Sequence, residues 1–297
     1  MEKKPIQSDD IDPAVYDLFD RYVHSQISRR QFLERASRYA VGGLTASAIL
    51  AYLSPRYAEA AQIDPQDSRL RSEYVTYDSP KGAGPMRGYL SRSTETKGKL
   101  PGIVVVHENR GLNPHIEDVA RRAGLAGFLA FAPDALTPLG GYPGTDDEGR
   151  QLQRQRTSET MLEDFIAAYS YLSANPECSG SVGAVGFCFG GWIVNMMAVR
   201  IPELAAAVPF YGRQPAEEDV PGIKAPLLLH YAEEDPRVNE GWPAYEAALK
   251  KNEKAYTAHI YPGVRHGFHN DSTPRFDKQA ADLAWKRTID FFRANLG

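Results

Sequence analysis

Downstream of residue 100, short apolar runs alternate with segments whose apolar positions recur every three or four residues. Ile103–His107 is a continuous, mostly β-branched run, as a strand buried on both faces requires. Phe128–Ala132, Val182–Phe187, Ala205–Tyr211, Pro226–Tyr231 and Thr257–Tyr261 predict further strands. Between and after them, Pro114–Leu125, Thr157–Leu172, Trp192 to Val199, Pro243–Lys250 and Asp277–Leu296 predict helices. Met161, Leu162, Phe165 and Tyr169 form the apolar stripe of the second of these. Upstream, Glu73–Asp78 and Met86–Ser91 predict two strands joined by Ser79-Pro80-Lys81-Gly82-Ala83-Gly84-Pro85. A Gly/Pro/Asp-rich loop is expected from Pro133 to about Arg150, with Gly140–Gly144 on a rim. Strand and helix in alternation predict an α/β fold: a mostly parallel central sheet flanked by helices on both faces. No internal repeat is visible, and residues 61–297 are expected to form one domain.

One junction in this pattern carries chemistry. Val182–Phe187 runs into Gly186-Phe187-Cys188-Phe189-Gly190-Gly191, and a helical pattern follows at once. This is the strand–turn–helix elbow of an α/β-hydrolase with cysteine in place of serine. A chain that reverses within one residue strains that residue, so Gly186 and Gly190 must present no side chain. The Cys188 thiol is then exposed at the apex, above a helix N-terminus that favours an anion. Cys178 lies at the other end of the same strand and is expected to be a bystander, too far away to pair.

A cysteine nucleophile needs a base, and the base needs a group to fix its tautomer. The acid is expected in Ala232-Glu233-Glu234-Asp235-Pro236, after strand Pro226–Tyr231. Asp235 is preferred because the following proline stiffens it, with Glu234 as fallback. The base is expected in Tyr261-Pro262-Gly263-Val264-Arg265-His266-Gly267-Phe268-His269, at His266, while His269 could line the mouth of the site. His115, His230 and His259 fall on a helix start or within strands and are read as structural. The oxyanion donors are expected to be the backbone N–H groups of Phe189 and of Asn109, in Glu108-Asn109-Arg110-Gly111. A carboxylate at Glu108, at the end of a buried strand, needs a partner, and the resting thiol could supply it. The bland alternative is a surface pair of Glu108 with Arg110.

With Glu108, Asp235 and His266-Gly267-Phe268, this elbow resembles the dienelactone hydrolase (carboxymethylenebutenolidase) family over roughly residues 70–297. The resemblance implies a Cys188–Asp235–His266 triad, Glu108 as the carboxylate that helps activate the thiol, and hydrolysis of an ester or enol lactone through a thioester. It also implies two arginines that hold a substrate carboxylate. Near His266 this chain instead has Asn270 and Asp271, with Arg265 before the histidine and Arg275 further on. Arg150, Arg154 and Arg156 compete for the other place, and Arg110 and Arg213 are expected to face the site as replacements. Tyr142 and Tyr211 are expected to line the pocket. Two competing readings are a cysteine peptidase or amidotransferase, and a ligand-binding scaffold without turnover.

The first sixty residues read differently. Ser28-Arg29-Arg30-Gln31-Phe32-Leu33, the mildly apolar Tyr39–Leu53 and the small-residue pattern Ala58-Glu59-Ala60 have the parts of a twin-arginine leader. They predict export through that machinery to the periplasm or beyond, with no stable membrane span. The alternative is a pair of amphipathic helices kept in a cytoplasmic protein, since residues 1–27 carry more acid than base. A formal charge of −4 offers no footprint for nucleic acid. No metal cluster, phosphate loop or dinucleotide fingerprint is apparent, so the expected partner is a small ester or lactone, with no cofactor.

Overall fold

The computed structural model describes residues 6–7, 10–40 and 44–297. Val41–Gly43, inside the predicted apolar run of the leader, lie outside the described residues. Four helices come first: α1 (Pro13–Val23), α2 (Arg29–Ala36), α3 (Ala46–Leu53) and α4 (Tyr57–Ala60). An antiparallel pair follows, β1 (Leu70–Ser79) and β2 (Gly84–Ser93). Then come β3 (Leu100–Val106), α5 (Pro114–Leu125), β4 (Leu129–Pro133), α6 (Asp146–Gln153), α7 (Ser158–Ala174), β5 (Cys178–Phe187) and α8 (Phe189–Arg200). The chain closes with β6 (Ala206–Phe210), β7 (Leu227–Glu234), α9 (Pro236–Asn239), α10 (Trp242–Lys251), β8 (Tyr256–Arg265) and α11 (Lys278–Leu296).

The eight strands form one sheet in the order β1-β2-β4-β3-β5-β6-β7-β8, parallel from β4 to β8. Side chains alternate across a strand, so one run feeds two cores. Val104 and Val106 of β3 join a core covered by α7, α8 and α10. Ile103 and Val105 join the opposite core, under α5 and α11. Both faces are therefore dry, which explains why β3, β4 and β6 read as unbroken apolar runs.

The expected elements are present, with ends shifted by a few residues. The exception is the loop expected from Pro133 to about Arg150, which runs into α6 at its C-terminal end. That helix, Asp-Asp-Glu-Gly-Arg-Gln-Leu-Gln, has almost no apolar stripe to announce it. Thr145 caps it, and three acids in its first turn complement the helix dipole. The turn between β1 and β2 is also tighter than expected, because both strands continue into it.

At the elbow, α8 lies almost on the backbone of β3. A Cβ on Gly190 would stand 2.4 Å from the Val106 carbonyl oxygen, and one on Gly186 would stand 2.2 Å from that of Gly190. These are backbone atoms and cannot rotate away. Gly190→Ala is expected to cost about 2–3 kcal/mol by overpacking, read as a lower midpoint in urea denaturation with an unchanged slope.

Apolar side chains of α1, α2 and α3, among them Val15, Phe19, Phe32 and Leu53, form a third cluster. No helix among the described residues is long and apolar enough to cross a membrane.

Candidate active site

β5 passes into α8 through a single residue, Cys188, held at φ 57° and ψ −111°. A non-glycine residue with positive φ stores about 1–3 kcal/mol of strain, tolerated where the surroundings over-determine it. Here the Cys188 N–H donates to the Phe210 carbonyl at 3.0 Å, and its own carbonyl accepts from Gly191 and Trp192 in the first turn of α8. The residue thus stands at the C-terminal end of β5, directly before the first turn of α8. The expected exposure at the apex is not found: Cys188 is buried, with the His24 ring against its sulfur.

Asp235 follows β7 and caps α9, accepting from the Val238 N–H. Its other oxygen accepts from Nδ1 of His266 at 2.5 Å. His266 stands just beyond β8, so sheet order brings both loops to the elbow. With Nδ1 committed to the carboxylate, Nε2 is the free ring nitrogen, and it has no hydrogen-bond partner. Tyr211, itself at φ 37°, places its ring 4.9 Å from that of His266.

The electrostatics follow from these neighbours. Burial pushes the Cys188 thiol up, but the imidazoles of His266 and His24 outweigh it and hold the pKa down to about 5. Burial would lower His266, yet the Asp235 carboxylate and the Cys188 thiolate raise it to about 10. Asp235 is correspondingly held below the usual carboxylate range, burial being overcome by the His266 imidazole.

Other expected positions are used differently. Glu108 does not pair with the thiol. It is buried and accepts from Arg110 and, at 2.9 Å, from Nδ2 of Asn270. Arg110 also donates to Asp146 at 2.7 Å. The bland pairing was thus the correct one, although inside the protein and not on its surface. A guanidinium offsets a buried carboxylate far better than a weak thiol donor, and burial notwithstanding it holds Glu108 down to about 2. Arg110 thus holds two carboxylates through its terminal nitrogens, while its Nε has no hydrogen-bond partner. Arg213 is exposed and stacks on the Trp192 ring, 5.1 Å from its centroid. Tyr142 donates to Asp146 at 2.8 Å, beside Tyr57. His269 stacks on Phe187 and packs on Trp285. Phe189 is the first residue of α8, directly after the elbow. Cys178 and Cys188 are both free and stand at opposite ends of β5.

Three residues around the sulfur and its imidazoles were missed: His24, Asp20 and Arg237. His24, at the end of α1, places Nε2 3.3 Å from Cys188 Sγ. Asp20, one turn earlier, accepts from Nδ1 of His24 through its backbone oxygen at 2.8 Å and faces the same nitrogen with Oδ1 at 3.2 Å. Arg237 lies against both rings, 3.0 Å from His24 Nε2 and 3.3 Å from His266 Nδ1. Signals for this segment were present: Asp12-Pro13 starts α1, and Ser28 with Gln31 makes a reciprocal capping box. The Asn109 side chain also donates to the Val23 carbonyl at 2.7 Å, tying the loop after β3 to α1.

Two family models match this chain. One, described as the dienelactone hydrolase family, covers residues 86–296, and another, described as YqhI-like, covers residues 3–41. A putative carboxymethylenebutenolidase of Saccharolobus solfataricus is 32% identical over 257 residues, 74% of this chain and 97% of that protein. A putative hydrolase fragment of Escherichia coli, YghX, is 55% identical over 112 residues, 38% of this chain and 96% of the fragment. Among solved structures, the dienelactone hydrolase-like promiscuous phosphotriesterase P91 from metagenomic libraries superposes with a TM-score of 0.67 at 26% identity. That match covers 77% of this chain and all of the other.

Proposed function

The chain belongs to the dienelactone hydrolase family, and from that premise we propose that it is a thiol hydrolase of activated esters or enol lactones. Cys188 is the nucleophile, His266 the acid–base group and Asp235 the residue that orients it. The observation carrying this reading is a cysteine sulfur at a strained apex, within 4.8 Å of an imidazole whose Nδ1 is held by a carboxylate.

In the proposed cycle the Cys188 thiolate attacks the ester carbonyl carbon. The carbonyl oxygen takes the negative charge, stabilised by the backbone N–H groups of Phe189 and Asn109. Collapse breaks the C–O bond, and the leaving oxygen takes a proton from His266. Water then attacks the thioester while neutral His266 accepts its proton. The thiolate leaves, and the acid product departs. A thiolate with a low pKa is a good leaving group, so an amine would be expelled poorly in competition with it. Enol and aryl esters, whose leaving oxygens are stabilised, fit the site better than amides.

Rapid acid quenching during turnover of a p-nitrophenyl ester, followed by intact and peptide mass spectrometry, tests the cycle. One acyl group on the peptide bearing Cys188 is expected. An acyl group elsewhere, or cleavage of peptide and glutamine substrates with ester substrates untouched, would refute it.

A further inference from the structure

We propose that the N-terminal helical segment is a working part of the active site, in which His24, oriented by Asp20, is a second acid–base partner of Cys188. The proposal rests on the reading of Cys188 as the nucleophile.

The sulfur is flanked by two imidazoles, each with an aspartate at its Nδ1. On one side, the Asp235 carboxylate holds Nδ1 of His266. On the other, Nδ1 of His24 donates to the Asp20 backbone oxygen at 2.8 Å, with the carboxylate Oδ1 at 3.2 Å. The reacting atoms of His24, Cys188 and His266 all lie within 4.8 Å of one another. Both partners of His24 Nδ1 are acceptors, so that nitrogen carries the proton and Nε2 faces the sulfur. An imidazole fixed in this tautomer can take the proton of the resting thiol and then hold the thiolate as its ion pair. The charged and titratable groups around it are Asp20 on its own helix, Cys188 at the elbow, Asp235 and Arg237 after β7, His266 after β8, and Arg275 before α11. Burial works against protonation of His24, but the thiolate and Asp20 raise its affinity for a proton.

α1 is seated by chemistry, not by chance contact. Arg265 and Arg275 stack on Tyr16 and Phe19 at 5.1 and 5.2 Å. The Tyr22 hydroxyl donates to Asp147 at 2.6 Å. A cleft of about 270 Å³ leads to His266, and its walls mix Tyr16 and Asp20 of α1 with Asp235, Arg237 and Arg275 of the hydrolase domain. The separate match over residues 3–41 marks the same segment as a recurring unit. Removal of a leader at residue 60 would take away one imidazole, one carboxylate and one wall of the cleft.

The test uses the full chain, with His24→Gln, which keeps size and hydrogen bonding but cannot titrate, and His24→Ala. Iodoacetamide alkylation of Cys188 is followed against pH, and ester turnover is measured in parallel with thermal melting as a control. In both variants the alkylation midpoint is expected to rise by about one unit and kcat to fall by about 10²-fold, with the fold intact. Added imidazole should partly restore turnover in His24→Ala. Unchanged midpoint and kcat would overturn the proposal, as would a His24→Ala variant more active than the parent, which would make the segment a plug. Full activity in accumulated protein whose mass begins at residue 61 would also overturn it. Stoichiometric bound zinc, lost in His24→Ala, would overturn it in favour of a metal site formed by the same three side chains. Activity surviving in Cys188→Ala would instead sink the proposed function, while the alkylation comparison in the other variants could still be read.

Discussion

Cys188→Ala is expected to lower kcat/KM for a p-nitrophenyl ester by about 10⁴- to 10⁶-fold, the range seen when the nucleophile of a triad is removed. The reason is structural. The elbow stores backbone strain to present one atom, and Asp235 and the neighbouring imidazoles are arranged around its charge. Alanine is tolerated at this position sterically, so the melting temperature should stay close to that of the parent. Cys188→Ser should recover little. The imidazoles that bring a thiol down to about 5 cannot make an alkoxide from a hydroxyl group, whose proton is held far more tightly. Steady-state kinetics on the two variants, with melting curves alongside, decides the matter. Near-parental rates in Cys188→Ala would remove the thioester mechanism altogether.

The second large effect is expected at Asp235→Asn. The carboxylamide can present its NH₂ to Nδ1 of His266 and so favour the tautomer with its proton on Nε2, which leaves the ring unable to act as a base. A fall in kcat of about 10³- to 10⁴-fold is expected by comparison with other triads that lose their acid. The pH dependence fixes the sign. The Asp235 carboxylate raises the proton affinity of His266, and the imidazolium lowers that of Cys188. Without the carboxylate, His266 titrates lower and the thiol higher. The alkylation midpoint of Cys188 should therefore move up from about 5, and the acid limb of the kcat profile should move the same way. A midpoint that stayed in place would show that Asp235 acts only as the cap of α9.

The sites read most easily from the residue order were those whose function depends on local backbone geometry. Gly186 and Gly190 flank Cys188 because a Cβ at either place would meet backbone oxygen, and that requirement is written within five residues. Asp235 and His266 could be placed because parallel strands deliver their following loops to one end of the sheet. Glu108 was harder. Its choice between the thiol and Arg110 depends on which group the fold buries beside it, although the pair stands only two residues apart. Helix α6 was obscured by its polar composition. His24 was hidden for another reason. Paired arginines followed by a mildly apolar run suggested a leader, and nothing local reveals that α1 packs its Phe19 face under arginines about 250 residues away. The acidic bias of residues 1–27 was the one compositional hint, and Asp17 and Asp20 indeed meet Arg265 and Arg237.

The placement of the two cysteines bears on how the protein meets oxidants. Nine residues of β5 lie between Cys178 and Cys188, on the order of 30 Å at the usual rise per residue. A sulfenic acid formed on the reactive sulfur by peroxide would thus find no second thiol in the same chain to condense with. It would depend on an external low-molecular-weight thiol for repair, or pass on to the sulfinic state and be lost.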